Sequence, residues 1–316
     1  MPDISLIICT RNRSDVIPET LDAIKKQTLD TEKYEVIIVD QSTDDKTKEL
    51  VEKYSGFKYI KLDSVGISVS RNEGIKHSTG NIISFVDDDI LFDENYLVNI
   101  LDFFNNSEFN PDVSGGKILF KYLGEKPDWL DGLLLGILGY SDYGDKPCMY
   151  DSHPKHVPYT GSIAFKRECI EKTGGFSTLN VNLNKNIISN EDVIFANKIK
   201  ELGYNLVYNP KMVVYHKIQP ENMTWEYYKN RYYKQGQSDG YTYFSLGMHS
   251  MMEIPEKIIL HLSRLIESLI LRHFKLKPSD KYYQKLRLYY NSGYIKALIN
   301  LLVNRKRLYE NSRISG

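Results

Sequence analysis

The chain has 316 residues, 41% hydrophobic and 26% charged, enough for one large or two modest packed domains and too apolar for wholesale disorder. Its 41 lysines and arginines balance 41 aspartates and glutamates, which argues against a general nucleic-acid binder, since that class carries a basic excess. The balance hides an asymmetry: residues 225–316 hold 16 basic and 7 acidic side chains, leaving 25 and 34 in residues 1–224.

In chain order, the first 90 residues alternate strand and helix signals. Ile4 to Cys9 is a short apolar run suited to a strand buried on both faces. Ser14 can cap a helix in which Ile17, Leu21 and Ile24 recur at helical spacing. Val36 to Val39 is a second buried strand ending at Asp40, followed by a helix over Asp45 to Tyr54 and a weaker strand over Phe57 to Leu62. Gly66 to His77 reads as helix, and Asn81 to Val86 as a strand running into Asp87, Asp88 and Asp89. Such alternation predicts a mostly parallel sheet with right-handed crossovers, an α/β fold whose ligands bind beyond the carboxyl ends of the strands. Polar residues follow three strands: Thr10-Arg11-Asn12-Arg13, Asp40-Gln41-Ser42 and the aspartate triplet.

Further along, Asp112 to Phe120 reads as a strand kinked at Gly115-Gly116, and Val157 to Phe165 as another. Arg167 to Thr173 is a short helix stopped by Gly174-Gly175, and Glu191 to Leu202 a longer one stopped by Gly203. Two short strands are expected around Asn209-Pro210, Tyr204 to Tyr208 and Met212 to His216. From Trp225 onward the pattern is helical, with breaks expected near Gly236–Gly247, Pro255, Pro278 and Gly293. Cys9, Cys148 and Cys169 are too scattered for a zinc frame or a disulfide scaffold, which suits a reducing compartment. Neither a signal peptide nor a run of about 18 apolar residues is present, so a cytoplasmic location is expected.

Three acids at one strand end repel each other and lose hydration when enclosed; a divalent cation relieves both costs, and oxygen donors suit Mg²⁺ or Mn²⁺. The same triplet can simply cap the next helix. Asp40 can accept from a ribose hydroxyl or a base, and Arg11, Arg13 and Arg71 can donate to base or phosphate. No glycine-rich dinucleotide fingerprint or P-loop follows a strand. Glu191-Asp192 opens a helix, where acids are stabilised by the dipole; with Asn190 as the cap, Asp192 is left as a candidate general base. His216 ends a short apolar strand and as neutral imidazole can ligate a metal.

In order along residues 3–217, these pieces resemble the family 2 glycosyltransferases of GT-A fold. The matching segments are Ser5 to Arg13, Val39 to Asp44, Gly66 with Arg71 to Gly74, Phe85 to Asp89, Gly161-Ser162 with Phe165 to Arg167, Gly174 to Phe176, Glu191-Asp192 and Tyr215-His216. The resemblance implies an inverting, metal-dependent transfer from a nucleotide-diphosphate sugar (UDP-, dTDP- or GDP-linked) to a glycan or lipid-linked hydroxyl acceptor, in cell-surface polysaccharide or glycan synthesis. It implies a catalytic domain over 1–222, with a nucleotide-binding half over 1–110 and an acceptor half over 111–222, and a basic helical region over 223–316. Thr10, Arg11, Arg13, Asp40 and Ser42 would hold base and ribose, with Arg71 and Asn72 near ribose or diphosphate. Asp87, Asp89 and His216 would hold Mn²⁺ or Mg²⁺, Asp88 would face the ribose or donor sugar, and Gly161 and Ser162 would line the sugar site. Asp192 would be the base, oriented by Glu191. Two departures stand out. The processive synthases' Q-x-x-R-W motif is missing, and Asp40-Gln41-Ser42 is one residue shorter than the usual pattern.

A sugar-nucleotide nucleotidyltransferase is disfavoured because Thr10 to Arg13 lacks glycine, and a non-catalytic binding module because it needs no base. In the basic C-terminal third, Ile258, Leu262, Leu265, Ile266, Leu269 and Ile270 recur at helical spacing among Lys257, Arg264, Arg272, Lys275 and Lys277. That pattern fits a helical subdomain packed on the catalytic part, peripheral contact with an anionic inner membrane face, or both. A homo-oligomer stays open.

Overall fold

The computed structural model describes residues 1–150, 156–178, 190–245, 250–271, 274 and 276–303. Among the described residues nine strands form one sheet: β1 (Ile4–Thr10), β2 (Tyr34–Asp40), β3 (Phe57–Lys61), β4 (Ile82–Asp87), β5 (Ile90–Phe92), β6 (Val113–Tyr122), β7 (Cys148–Met149), β8 (Ser162–Lys166) and β9 (Leu206–Ile218). Their order is β3-β2-β1-β4-β8-β6-β9-β5, with β7 paired to β9. The half spanning β3, β2, β1 and β4 is parallel. From β8 onward the pairings β4–β8, β6–β8, β5–β9 and β7–β9 are antiparallel.

Alternation along the first strands explains their unbroken apolar runs. Ile4, Leu6 and Ile8 join one buried cluster with Val36, Ile38, Ile82 and Val86. Ile7 joins another on the opposite face with Ile37, Val39, Ile83 and Phe85. A strand covered on both faces has no position for a polar side chain without a partner. Ser5 and Ser84, both fully buried, meet that condition by donating to Glu35 at 2.7 Å and to the Ile163 carbonyl at 3.0 Å.

The expected crossover helices form at Pro18–Lys25, Lys46–Val51 and Ile67–Lys76, and later helices at Tyr96–Asn106, Arg167–Thr173 and Glu191–Glu201. The two strands expected around Pro210 are one continuous strand, β9. Pro210 falls between the residues paired with β7 and those paired with β5, so its missing N–H costs no ladder bond on that side. The strand expected over Val157 to Phe165 begins only at Ser162. The glycine-punctuated segment after Trp129 forms a 3-10 helix over Gly132–Leu138.

The chain divides into two compact units. One takes in Met1–Lys121, Gly139–Val181 and Glu191–Lys217, the other Tyr122–Leu138, Asn182–Asn190 and Ile218–Gly316, for the described residues within those spans. The second unit is built on helices Trp225–Ser245, Ile254–Leu271 and Pro278–Val303. In it Trp129 packs against Trp225, Tyr228 and Tyr282. No described helix is long and apolar enough to cross a membrane.

The break expected within Gly236–Gly247 falls near its far end, where the helix stops at Ser245, and the one expected near Gly293 does not occur; Gly236 and Gly293 both lie inside long helices. Their role is close approach. A Cβ on Gly236 would sit 2.0 Å from the Tyr290 carbonyl oxygen, and one on Gly293 2.0 Å from that of Tyr233. The two backbones therefore touch where a side chain would hold them apart. Gly293→Ala should lower the unfolding stability by about 1–3 kcal/mol, as overpacking does. This is expected although alanine is the better helix former by about 1 kcal/mol. Thermal melting of the variant checks it, and a raised Tm would contradict the packing role.

Candidate active site

Strand register gathers most of the expected residues. Thr10 is paired with Asp40 and Cys9 with Asp87, so the ends of β2, β1 and β4 stand level at one edge of the parallel half. Beyond β4 the chain turns into β5, whose Ile90 lies opposite His216 of β9. That step carries His216 to Asp89, with Nε2 3.4 Å from Oδ2. The antiparallel partner β8 sets Ser162 opposite Val86, which puts Gly161 beside Asp87. A Cβ on Gly161 would lie 3.1 Å from Asp87 Oδ2.

Arg13 donates to Asp88 Oδ1 and to Asp89 Oδ2, both at 2.7 Å. Thr10 Oγ1 donates to the other Asp88 oxygen at 2.7 Å, and Thr20 Oγ1 to the Asp88 carbonyl at 2.8 Å. Both Asp88 carboxylate oxygens are thus engaged within the protein, and burial pushes the group up to about 7 against the pull of Arg13. Burial also acts upward on Asp89, but hydrogen bonds and charge from His216 and Arg13 outweigh it and hold the carboxyl down at about 2. Asp87 is shifted upward by burial and by Asp89, while Arg71 and His216 draw it down and Glu191 adds a smaller upward push.

Arg71, 4% exposed, donates to Glu191 Oε1 at 2.8 Å and to Thr160 Oγ1 at 2.7 Å, and lies 5.3 Å above the Phe176 ring. Asn72 holds the loop after Gly174 from both sides: its Nδ2 donates to the Phe176 carbonyl and its Oδ1 accepts from the Phe176 N–H, each at 2.9 Å. Asp192 is half-buried, with Oδ1 accepting from the Val193 N–H at 2.8 Å. Burial and the neighbouring Glu191 charge push its carboxyl up to about 7, against Arg71. Asn190, expected as the cap, has φ of 88° and spends its side chain elsewhere. It donates to Asp239 and Thr242 and accepts from Gln235.

Asp40 is fully buried. Its Oδ1 accepts from the Ser42 N–H at 2.8 Å and from the Ser42 hydroxyl, and its Oδ2 from Tyr59 at 2.8 Å, with Lys61 Nζ 3.8 Å away. Ser42 Oγ accepts from the Asn12 N–H at 2.7 Å. Ser162 is buried with Oγ 3.0 Å from the Tyr96 hydroxyl, and Arg11 is exposed.

Sequence reading passed over Thr160, Tyr59, Lys61 and Thr20. Tyr59 and Lys61 sit on the weak edge strand, and only the register that sets Lys61 opposite Asp40 reveals them. Thr160 and Thr20 stand in no motif; contact with Arg71 and with the Asp88 carbonyl is what singles them out.

Among the described residues no group of three or more His, Cys, Asp or Glu side chains forms an assembled metal-binding cluster. Asp89 Oδ1, however, is buried without a hydrogen-bond partner. A buried carboxylate oxygen left in that state costs about 1–3 kcal/mol, and a hard divalent cation is the partner its chemistry suits. With Asp87 and His216 beside it, the donor set fits Mn²⁺ or Mg²⁺.

The family model described as glycosyl transferase family 2 matches residues 5–174, more than half of the chain. The chain belongs to glycosyl transferase family 2. This family 2 glycosyltransferase is 23% identical over 246 residues to a glucosyl-dolichyl phosphate glucuronosyltransferase of Haloferax volcanii, covering 74% of this chain and 75% of that one. It is 33% identical over 122 residues to the poly(ribitol-phosphate) beta-N-acetylglucosaminyltransferase TarP of Staphylococcus aureus, covering 37% of each chain. The mannosyltransferase of Pyrobaculum calidifontis, solved with GDP-Man and Mn²⁺, superposes with a TM-score of 0.53 at 19% identity, covering 96% of this chain and 75% of that one. TarS residues 1–349 of S. aureus, solved with UDP, superposes at 0.51 and 18%, covering 97% and 92%. At those identities the superpositions establish the GT-A fold of this glycosyltransferase and no more.

Proposed function

We propose that this family 2 glycosyltransferase moves a sugar, with inversion, from a nucleoside-diphosphate sugar to a hydroxyl acceptor with the help of a divalent cation, in cell-surface glycan synthesis. The observation that carries the reading is the contact chain around Arg71. Arg71 donates to Glu191 at 2.8 Å and to Thr160 at 2.7 Å, and Gly161, next to Thr160, lies against Asp87, so the acidic strand end and the start of the Asp192 helix are drawn to one place. Mn²⁺ or Mg²⁺ held by Asp87, Asp89 and His216 would neutralise negative charge on the diphosphate.

The chain's own groups supply the rest. Arg13 fixes the triplet by gripping Asp88 and Asp89, so Asp88 acts as a brace. Asp40, fully buried and engaged by Ser42 and Tyr59, braces the end of β2 next to Thr10, where a ribose or base would dock; Arg11 stands exposed nearby. Gly161 lets the backbone lie close against Asp87, where a Cβ would stand 3.1 Å from the carboxylate, and Asn72 holds the loop at Phe176. Asp192, half-buried and raised to about 7, takes the acceptor's proton as its oxygen bonds to the anomeric carbon and the carbon–oxygen bond to the diphosphate breaks.

The named complexes of the solved relatives, GDP-Man with Mn²⁺ and UDP, support a nucleotide-linked donor. The dolichyl-phosphate and poly(ribitol-phosphate) relatives support a lipid-linked or polymeric acceptor. The test is incubation of the pure enzyme with UDP-, GDP- and dTDP-sugars and Mn²⁺, reading the nucleotide released and the anomeric configuration of the product by NMR. Retained configuration, or turnover undiminished by EDTA, would overturn the corresponding part. Glu191→Gln should also move the acid limb of the rate profile to lower pH, because removing that charge eases ionisation of Asp192.

A further inference from the structure

Helix Ile254–Leu271 of the second unit is packed along one edge only. Ile254, His261 and Ser268, seven residues apart, are buried. Ile254 joins Tyr241, Tyr294, Ala297 and Leu298, while the His261 ring stacks on Tyr294 at 3.8 Å and meets Asn291 at 2.6 Å. Away from that edge, Ile259, Leu262, Ile266, Leu269 and Ile270 are each exposed by 42% to 67%. At 100° per residue these five fall within about 100° of arc, one unbroken apolar face. Contiguous apolar surface of this size marks an interaction site.

The spacing says what covers it. Ile259, Leu262, Ile266 and Leu269 follow the three-four-three step of a heptad seam, with isoleucine at each a position and leucine at each d position. That arrangement suits pairing with a like helix in a two-stranded seam. We propose that this face is where a second copy of the chain docks, helix against helix, about a two-fold axis. Two such faces would together bury on the order of 1,000 Å², the lower bound for a specific interface. The exposed rim beside the stripe carries Glu256, Ser263 and Glu267. Lys257 and Arg264 point about 170° away from the stripe on the helical wheel. An anionic lipid surface would be repelled by that rim, whereas a second apolar seam is not. The basic Arg272, Lys275 and Arg305 to Arg307 lie outside the described residues.

Sedimentation equilibrium of the full chain tests this. Wild type is expected at twice the 36.7 kDa chain mass in the micromolar range, and Ile266→Glu at the single-chain mass with an unchanged thermal melt. In a parallel pair Leu262 meets its own copy, and in an antiparallel pair centred on the seam it faces Ile266 of the second copy. Leu262→Cys in the first case, or Leu262→Cys combined with Ile266→Cys in the second, should therefore form a covalent dimer under mild oxidation. A wild type that is monomeric at 100 µM, a dimer that survives Ile266→Glu, or a dimeric sample that cross-links through neither the single nor the double cysteine variant would each overturn the proposal. Monomeric wild type that floats with phosphatidylglycerol vesicles and loses this on Ile266→Glu would overturn it in favour of lipid.

Discussion

Asp192→Asn is expected to lower the transfer rate by about 10²–10⁴-fold, the contribution of a positioned general base, while donor binding stays at the wild-type level. The amide keeps the shape of the side chain but cannot take the acceptor's proton. The wild-type pH profile follows from the same group. A carboxyl raised to about 7 is protonated and inactive as a base below that pH, so kcat/KM should climb about tenfold per unit up to pH 7 and level off above it. In Asp192→Asn the residual rate should lose that limb. Initial rates between pH 5 and 9, with acceptor held well below KM, decide the matter. A variant that turns over as fast as wild type would remove Asp192 from the chemistry.

Asp89→Ala should abolish metal-dependent donor binding, weakening it by more than about 100-fold, since loss even of a group that only supports a metal ligand costs 10–100-fold. The substitution removes what is, among the described residues, the one buried carboxylate oxygen left without a partner, and releases His216 and Arg13 from their shared acceptor. Titration calorimetry with nucleoside diphosphate and Mn²⁺ reads the effect. Asp89→Asn separates two parts of it: it restores an oxygen at the same place without the charge, so Arg13 positioning should recover while cation affinity does not. Unchanged Mn²⁺-dependent affinity in Asp89→Ala would show that the cation is held elsewhere or not used.

How far these residues were visible beforehand follows from where their partners lie. The ends of β1, β2 and β4 could be read directly, because an apolar run buried on both faces must stop where charge begins, and parallel strands align those stops. His216 could be named but not placed: nothing local says that β9 returns antiparallel to the short β5 and lays the imidazole against Asp89. Asp88 shows the opposite failure. By position it looks like its neighbours, yet Thr10 and Arg13 occupy both of its oxygens, and a fully engaged carboxylate is a brace before it is a contact for ligand. Glycine misled for a similar reason. Gly236 and Gly293 carry the signal of a helix break, but in a helix pair with touching backbones the missing side chain is a packing requirement.

By itself the sequence determined the alternation of strand and helix, the strand ends that bear acid, and the membership of the chain in a glycosyltransferase family. The first two follow from hydrophobic period and local residue chemistry, which short windows contain; the third rests on the likeness of an ordered set of motifs to that family. The tertiary structure decided which acids are spent on internal partners, which carboxylate oxygen is left over, how strongly Asp192 is shifted, and which face of the C-terminal helices stays uncovered. Burial and charge pairing depend on residues far apart along the chain, as Asp89 and His216 are, and chain-distant contacts leave no trace in a local pattern.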